Sequence, residues 1–156
     1  TTLRGLTLAV NEPIGVMGIV CPDEAPLLAF ISLIAPPVAR GNTVVVIPSE
    51  KNPLSATDFY QVLETSDVPG GVINIVTGVR DHLTKTLVEH DNVDSVWYFG
   101  GAEGSAHVEF LSAHNMKRTW VSYGQAIDWY DTTHAAGEEF LREATQVKNV
   151  WLPTGE

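Results

Sequence analysis

Cysteine is almost absent from this sequence: Cys21 stands alone among 156 residues, which excludes an intrachain disulfide and any cysteine-based metal cluster. Positive charge is scarce as well. Nine Lys and Arg face nineteen Asp and Glu, a formal net charge of −10, and the basic residues form no dense cluster. Such a chain repels phosphate backbones and anionic lipid, which argues against nucleic acid and membrane surfaces as partners. No apolar run is long enough for a bilayer, since the longest, Pro26 to Val38, is broken by Pro36 and Pro37. A basic-then-apolar leader is missing, and the opening Thr1-Thr2 is what a piece of a longer protein would show. Internal repeats and low-complexity tracts are missing too. Together these absences predict a soluble, acidic, cytoplasmic chain.

What is present suffices for one globular domain with its own core, at 44% hydrophobic and 18% charged residues. Leu6 to Val10 and Ile14 to Cys21 read as strands, with Asn11-Glu12-Pro13 as the turn between them. The second strand is apolar on both faces, the pattern of a strand buried between helical layers. Pro26 opens a helix that Gly41-Asn42 close, and Pro36 should kink it. Val44 to Ile47 is a β-branched strand, Pro53 to Thr65 a helix, and Val72 to Val76 a third buried strand. Arg80 to His90 is helical, Ser95 to Phe99 a strand, Ala102 to His114 a helix, and Thr119 to Tyr123 a fifth strand. This alternation predicts an α/β fold, a Rossmann-like parallel sheet of about five strands with helices on both faces. Past Gly124 the alternation stops: Asp128 to His134 lacks periodicity, Gly137 to Thr145 is helical, and Val147 to Leu152 is strand-like.

The segment Val68-Pro69-Gly70-Gly71-Val72-Ile73-Asn74-Ile75-Val76-Thr77-Gly78 resembles the P-x-G-V-x-N-x-V-x-G of the aldehyde dehydrogenase superfamily. Glu12-Pro13-Ile14-Gly15-Val16 is similar to the family's entry into its cofactor domain. Pro36 through Gly41-Asn42, Val44 to Val46 and Pro48-Ser49-Glu50 resemble its P-A-L-A-x-G-N-x-V-V-x-K-P-S-E stretch. Ala144 to Val150 looks like the C-terminal oligomerisation strand, Y-T-x-V-K-T-V. The resemblance implies that the catalytic domain, which lies in that family between the cofactor fold and this strand, is missing. Only about a dozen residues stand where a domain of ~100–150 would. The degenerate second copy carried by family 16 is the nearest likeness. It divides the chain into a cofactor-type domain at 11–125, with oligomerisation strands and connecting tail at 1–10 and 126–156.

The same resemblance identifies which chemistry is lost. Aldehyde oxidation needs a thiolate, an oxyanion hole and a carboxylate base. The thiol's G-Q-x-C reads Gly124-Gln125-Ala126-Ile127, the oxyanion asparagine of P-W-N-x-P falls at Glu24, and the glutamate of E-L-G-G falls at Ser122. No catalytic residue is therefore assigned. Cys21 is expected to be a buried structural thiol, with a pKa raised by Asp23 and Glu24. For the cofactor, Pro48, Ser49 and Glu50 keep one ribose contact, while the partner lysine is replaced by Ile47. Gly100 and Gly101 stand at the pyrophosphate-binding helix start, with Gly101 in place of a serine. NAD binding is expected to be weak or vestigial.

The five histidines lack metal-site spacing, and Trp97, Trp120, Trp129 and Trp151 belong to a core or an interface. The function expected is a structural and oligomerisation module of a longer NAD-dependent aldehyde dehydrogenase. It would self-associate or dock onto a catalytic aldehyde dehydrogenase domain. Two alternatives stay open: the cofactor-binding portion of an active enzyme whose thiol comes from another segment, and a dinucleotide sensor. The end strands need partners, either in another copy, the preferred reading, or in each other as a ribbon.

Overall fold

The computed structural model describes residues 5–153; the outermost parts of the expected end segments, 1–4 and 154–156, lie outside them. In chain order the elements are β1 (Gly5–Pro13), β2 (Val16–Val20), α1 (Pro26–Ala39), β3 (Thr43–Ile47), α2 (Leu54–Asp58), α3 (Tyr60–Glu64) and β4 (Ile73–Ile75). There follow α4 (Arg80–Glu89), β5 (Ser95–Tyr98), α5 (Ala102–Ser112), β6 (Arg118–Val121), α6 (Thr132–Ala135), α7 (Glu138–Glu143) and β7 (Thr145–Pro153).

Five strands form one parallel sheet in the order β4-β3-β2-β5-β6. From β2 the chain winds outward through β3 to β4, then returns to the other side of β2 as β5 and β6. The carboxyl ends of β2 and β5 thus flank the point where winding reverses, the place where open α/β sheets form a crevice. Alternate side chains serve two cores. Met17, Ile19, Val44, Val46 and Trp97 face α1, α2 and α7, joined there by Phe30, Leu33 and Phe140. Val20, Ile47, Val96 and Tyr98 face α4 and α5, packed with Leu87, Val88 and Val108. Gly18 permits the close approach of α4, since a Cβ on it would lie 2.6 Å from a Leu87 methyl.

Several local expectations are corrected. Asn11-Glu12-Pro13 is not a turn but the end of β1, because each residue pairs with β7: Asn11 with Val147, Glu12 with Gln146, Pro13 with Thr145. The turn falls at Ile14-Gly15, where Gly15 adopts φ 131° and a side chain would collide with the Asp94 carboxylate. The strand expected to be buried over Val72 to Val76 is a three-residue edge strand, β4, whose residues are only half-buried because one side has no neighbour. The Pro53 to Thr65 helix is divided at Phe59, whose ring packs edge-on against Phe30. Helix α6 begins inside the stretch that showed no periodicity and ends one residue beyond it, capped by the Asp131 side chain accepting from the Thr133 amide at 2.9 Å.

The end strands pair with each other, antiparallel through nine residues from Gly5–Pro153 to Pro13–Thr145. Within the chain the two end strands form this ribbon, and Lys148 adds an ion pair to Glu12 at 3.0 Å. Both feet of the ribbon are fastened to the sheet. Asn42, 1% exposed, accepts from the amides of Ile14 and Gly15 and donates to the carbonyls of Pro37 and Ala144. Arg118 on β6 donates to the Thr145 carbonyl and the Glu143 carboxylate, each at 2.7 Å. Among the described residues no helix is long and apolar enough to cross a membrane.

Candidate functional site

At the switch point a cavity of about 300 Å³ opens between three loops. The loop after β2 contributes Asp23 and Glu24, the loop after β5 contributes Gly100 and Gly101, and the segment after β6 contributes Ser122, Gly124 and Gln125. Arg80 on the first turn of α4 lines it as well.

Gly101 is the N-cap of α5, with extended backbone and no side-chain cap. Gly100 has a packing reason to be glycine: the Tyr98 ring lies beneath it, and a Cβ would stand 2.6 Å from that ring. Burial, reinforced by Asp81, raises the Tyr98 pKa, so the phenol stays neutral. The Gly100 carbonyl is doubly used, accepting from the Gly124 amide at 2.8 Å and the Ser122 hydroxyl at 3.1 Å. The Ser122 hydroxyl is thereby committed to holding two loops together.

The other expected cofactor residues stand to one side. Pro48 and Ser49 are buried just past β3; the Ser49 hydroxyl donates to Asp23 Oδ1 at 2.8 Å and accepts from the Asn52 amide at 3.1 Å. Glu50 is exposed, and its Oε2 accepts from the Arg80 amide at 3.2 Å. Ile47 is 2% exposed within the apolar layer beneath α4. The structure therefore brings Gly100 and Gly101 to the cavity, and ties Ser49 and Glu50 to its wall through Asp23 and Arg80.

Arg80 is the group the sequence reading missed. Its Nη2 donates to Asp23 Oδ1 at 2.5 Å. Burial works against the Asp23 anion, but the hydrogen bonds and charge of Arg80, with those of Ser49 and Lys51, outweigh it and hold the carboxyl below its ordinary value. The one signal in the sequence was a cation in the first turn of a helix, where the backbone dipole favours an acid and a cation needs a partner.

Cys21 is fully buried, and burial pushes its thiol up to about 12. The expected cause is corrected: Asp23 and Glu24 do not drive the rise, and the one charge that bears on the thiol, Arg80, opposes it. A thiol so placed is protonated at neutral pH and inert as a nucleophile. Around the cavity the one guanidinium is paired with Asp23, and Glu24 adds a second carboxylate. Elsewhere, His114 pairs with Asp91 and His134 with Asp131 at the surface. Trp97, Trp120 and Trp129 join Phe99 and Phe140 in one edge-to-face cluster, whereas Trp151 is 78% exposed on the ribbon.

A family model described as the aldehyde dehydrogenase family matches residues 3–126. The NADP/NAD-dependent aldehyde dehydrogenase PuuC of Escherichia coli is 34% identical over 125 residues, covering 80% of this chain and 25% of that protein. Horse (Equus caballus) aldehyde dehydrogenase 1A1 is 37% identical over 119 residues, covering 76% of this chain and 24% of that one. Among solved structures, aldehyde dehydrogenase C of Pseudomonas syringae, crystallised with NAD+ and octanal, superposes with a TM-score of 0.72 at 34% identity, over 77% of this chain and 25% of its own. The chain spans about a quarter of the length of these relatives.

Proposed function

The chain belongs to the aldehyde dehydrogenase family, and from that membership we propose that it is a non-catalytic structural and oligomerisation module of a longer NAD-dependent aldehyde dehydrogenase. The observation that carries this is Cys21, the one thiol in the sequence, held fully buried and protonated. Ser122, spent on the Gly100 carbonyl, and the exposed Glu24 support it from the other two catalytic positions. The role resembles that of the degenerate copy in family 16, and a cytoplasmic location goes with it on the single cysteine.

The ribbon supports the oligomerisation part. Leu6, Leu8 and Val10 on β1 and Val147, Trp151 and Leu152 on β7 are exposed, on a two-stranded element that is marginal alone. Its partner is a second copy or the catalytic domain of the parent chain. NAD binding is weak, no tighter than roughly millimolar, for want of the lysine at Ile47. One observation favours a second reading, cofactor binding within an active enzyme completed by another segment: the Gly100-Gly101 turn still opens α5 at the crevice.

The test is NADH formation from simple aldehydes by the purified chain. No rate above the uncatalysed background is expected, since each missing group accounts for orders of magnitude. NADH formation abolished by Cys21→Ala would overturn the proposal.

A further inference from the structure

Three loops at the switch point meet on one carboxylate. Asp23, after β2, receives the Arg80 guanidinium from the start of α4 and the Ser49 hydroxyl from the loop after β3. Both charged side chains are largely withdrawn from water, Arg80 at 15% and Asp23 at 20% exposure. The Arg80 Nε is buried with no hydrogen-bond partner among the described residues. Buried donors are rarely left so, and the guanidinium is kept there by its pairing in spite of the unmade bond. The charge of Arg80 bears on both Cys21, one residue past β2, and Tyr98, the last of β5. Arg80 lines the same cavity as Asp23, after β2, and as Gly100 and Gly101, after β5.

We propose that the Arg80–Asp23 bridge is a built-in latch, in which the guanidinium occupies the place that a dinucleotide's diphosphate takes in a fold of this kind and closes the crevice to it. The inference deepens the weak-cofactor part of the proposed function and rests on it. An entering diphosphate needs space beside the α5 amides, whose N–H groups offer it partial positive charge, and no excess of carboxylates around them. Among the described residues, the only basic side chain lining the cavity is already paired with Asp23, and Glu24 adds a second carboxylate. The glycine turn that admits the backbone to a phosphate is intact, so closure comes from the ion pair.

Titration calorimetry with NAD on the full chain tests this, comparing wild type with Arg80→Gly and Arg80→Met, each combined with Asp23→Asn so that the pair is removed without leaving its carboxylate unpaired, and with Ile47→Lys. Arg80→Met keeps the aliphatic stem and guards against a glycine variant that fails to fold. At least tenfold tighter binding is expected in an Arg80 variant, and a smaller gain in Ile47→Lys, which restores one ribose contact and leaves the latch in place. Wild type and both Arg80 variants binding equally weakly would overturn the latch and leave the weak-cofactor reading standing. Micromolar binding by wild type would mean an open crevice and overturn both readings, whatever an Arg80 variant gains.

Discussion

The strands β1 and β2 are separated only by Ile14 and Gly15, and both are rich in aliphatic side chains, yet they end in opposite environments. On β2, Met17, Ile19 and Val20 have no exposure at all; on β1, Leu6, Leu8 and Val10 are each more than 40% exposed. The difference lies in the neighbours rather than the strands. β2 is paired on both sides and covered by helices on both faces, whereas β1 has β7 on one side and nothing else. That exposed apolar element is what the proposed oligomerisation role would cover.

The two tryptophans sharpen that contrast most. Trp97 is fully buried between Trp120 and Phe140, and Trp97→Ala should lower the free energy of unfolding by about 3–5 kcal/mol in urea denaturation. Trp151→Ala, at 78% exposure, should change it by less than about 0.5 kcal/mol in the monomer. Equal effects would mean that the ribbon belongs to the core after all.

Next in size is the joint between the regions. Asn42 makes four hydrogen bonds, two to the turn between β1 and β2, one to Pro37, and one to Ala144 beside β7. Asn42→Ala takes that partner from the Ile14 and Gly15 amides and the Ala144 carbonyl, whereas the Pro37 carbonyl keeps the Arg40 and Asn42 amides, a loss of about 1–3 kcal/mol. Hydrogen exchange should show the loss concentrated at Ile14, Gly15 and the ribbon's feet. Uniform loss across the sheet would assign Asn42 to the core alone.

Periodicity made most of this fold legible. The strands of the parallel sheet were readable because buried strands are continuous β-branched runs, and the helices because Pro26, Gly41 and Gly101 mark their ends. The exceptions have local causes. Asn11-Glu12-Pro13 has turn composition, yet extends a strand because Thr145 to Val147 lie opposite it, a pairing 132 or more residues away in the chain. At the site, glycines were found because their spacing is local, and Arg80 was not, because its partner Asp23 is 57 residues distant. Ion pairs across loops leave no periodic trace.

A smaller effect is expected at the ribbon surface. Leu8 and Val150 stand opposite each other and share a face with Leu6 and Leu152. Leu8→Lys should leave monomer stability nearly unchanged and weaken self-association about tenfold, the equivalent of ~1.4 kcal/mol, read by analytical ultracentrifugation. A monomer at every concentration in both proteins would break the oligomerisation reading.

The smallest effect concerns acid. The Asp23 carboxyl lies below its ordinary value of 3.8 because, although burial opposes its charge, Arg80 and Ser49 favour it more strongly. For a carboxyl depressed on folding, the stabilisation is fully present above the unfolded value and is lost as pH falls through the folded one. Asp23 therefore contributes near neutrality and ceases to contribute at pH well below 3.8. In Asp23→Asn the contribution is absent at every pH, because the amide carries no charge for Arg80 to hold. Wild type should be the more stable protein near pH 7, with the gap closing as acid is added below 3.8. The pair is one-fifth exposed or less, so solvent screening keeps the gap modest. Urea unfolding at several pH values measures it; a difference that stays constant down to pH 2 would mean that Asp23 acts through shape and hydrogen bonding rather than charge.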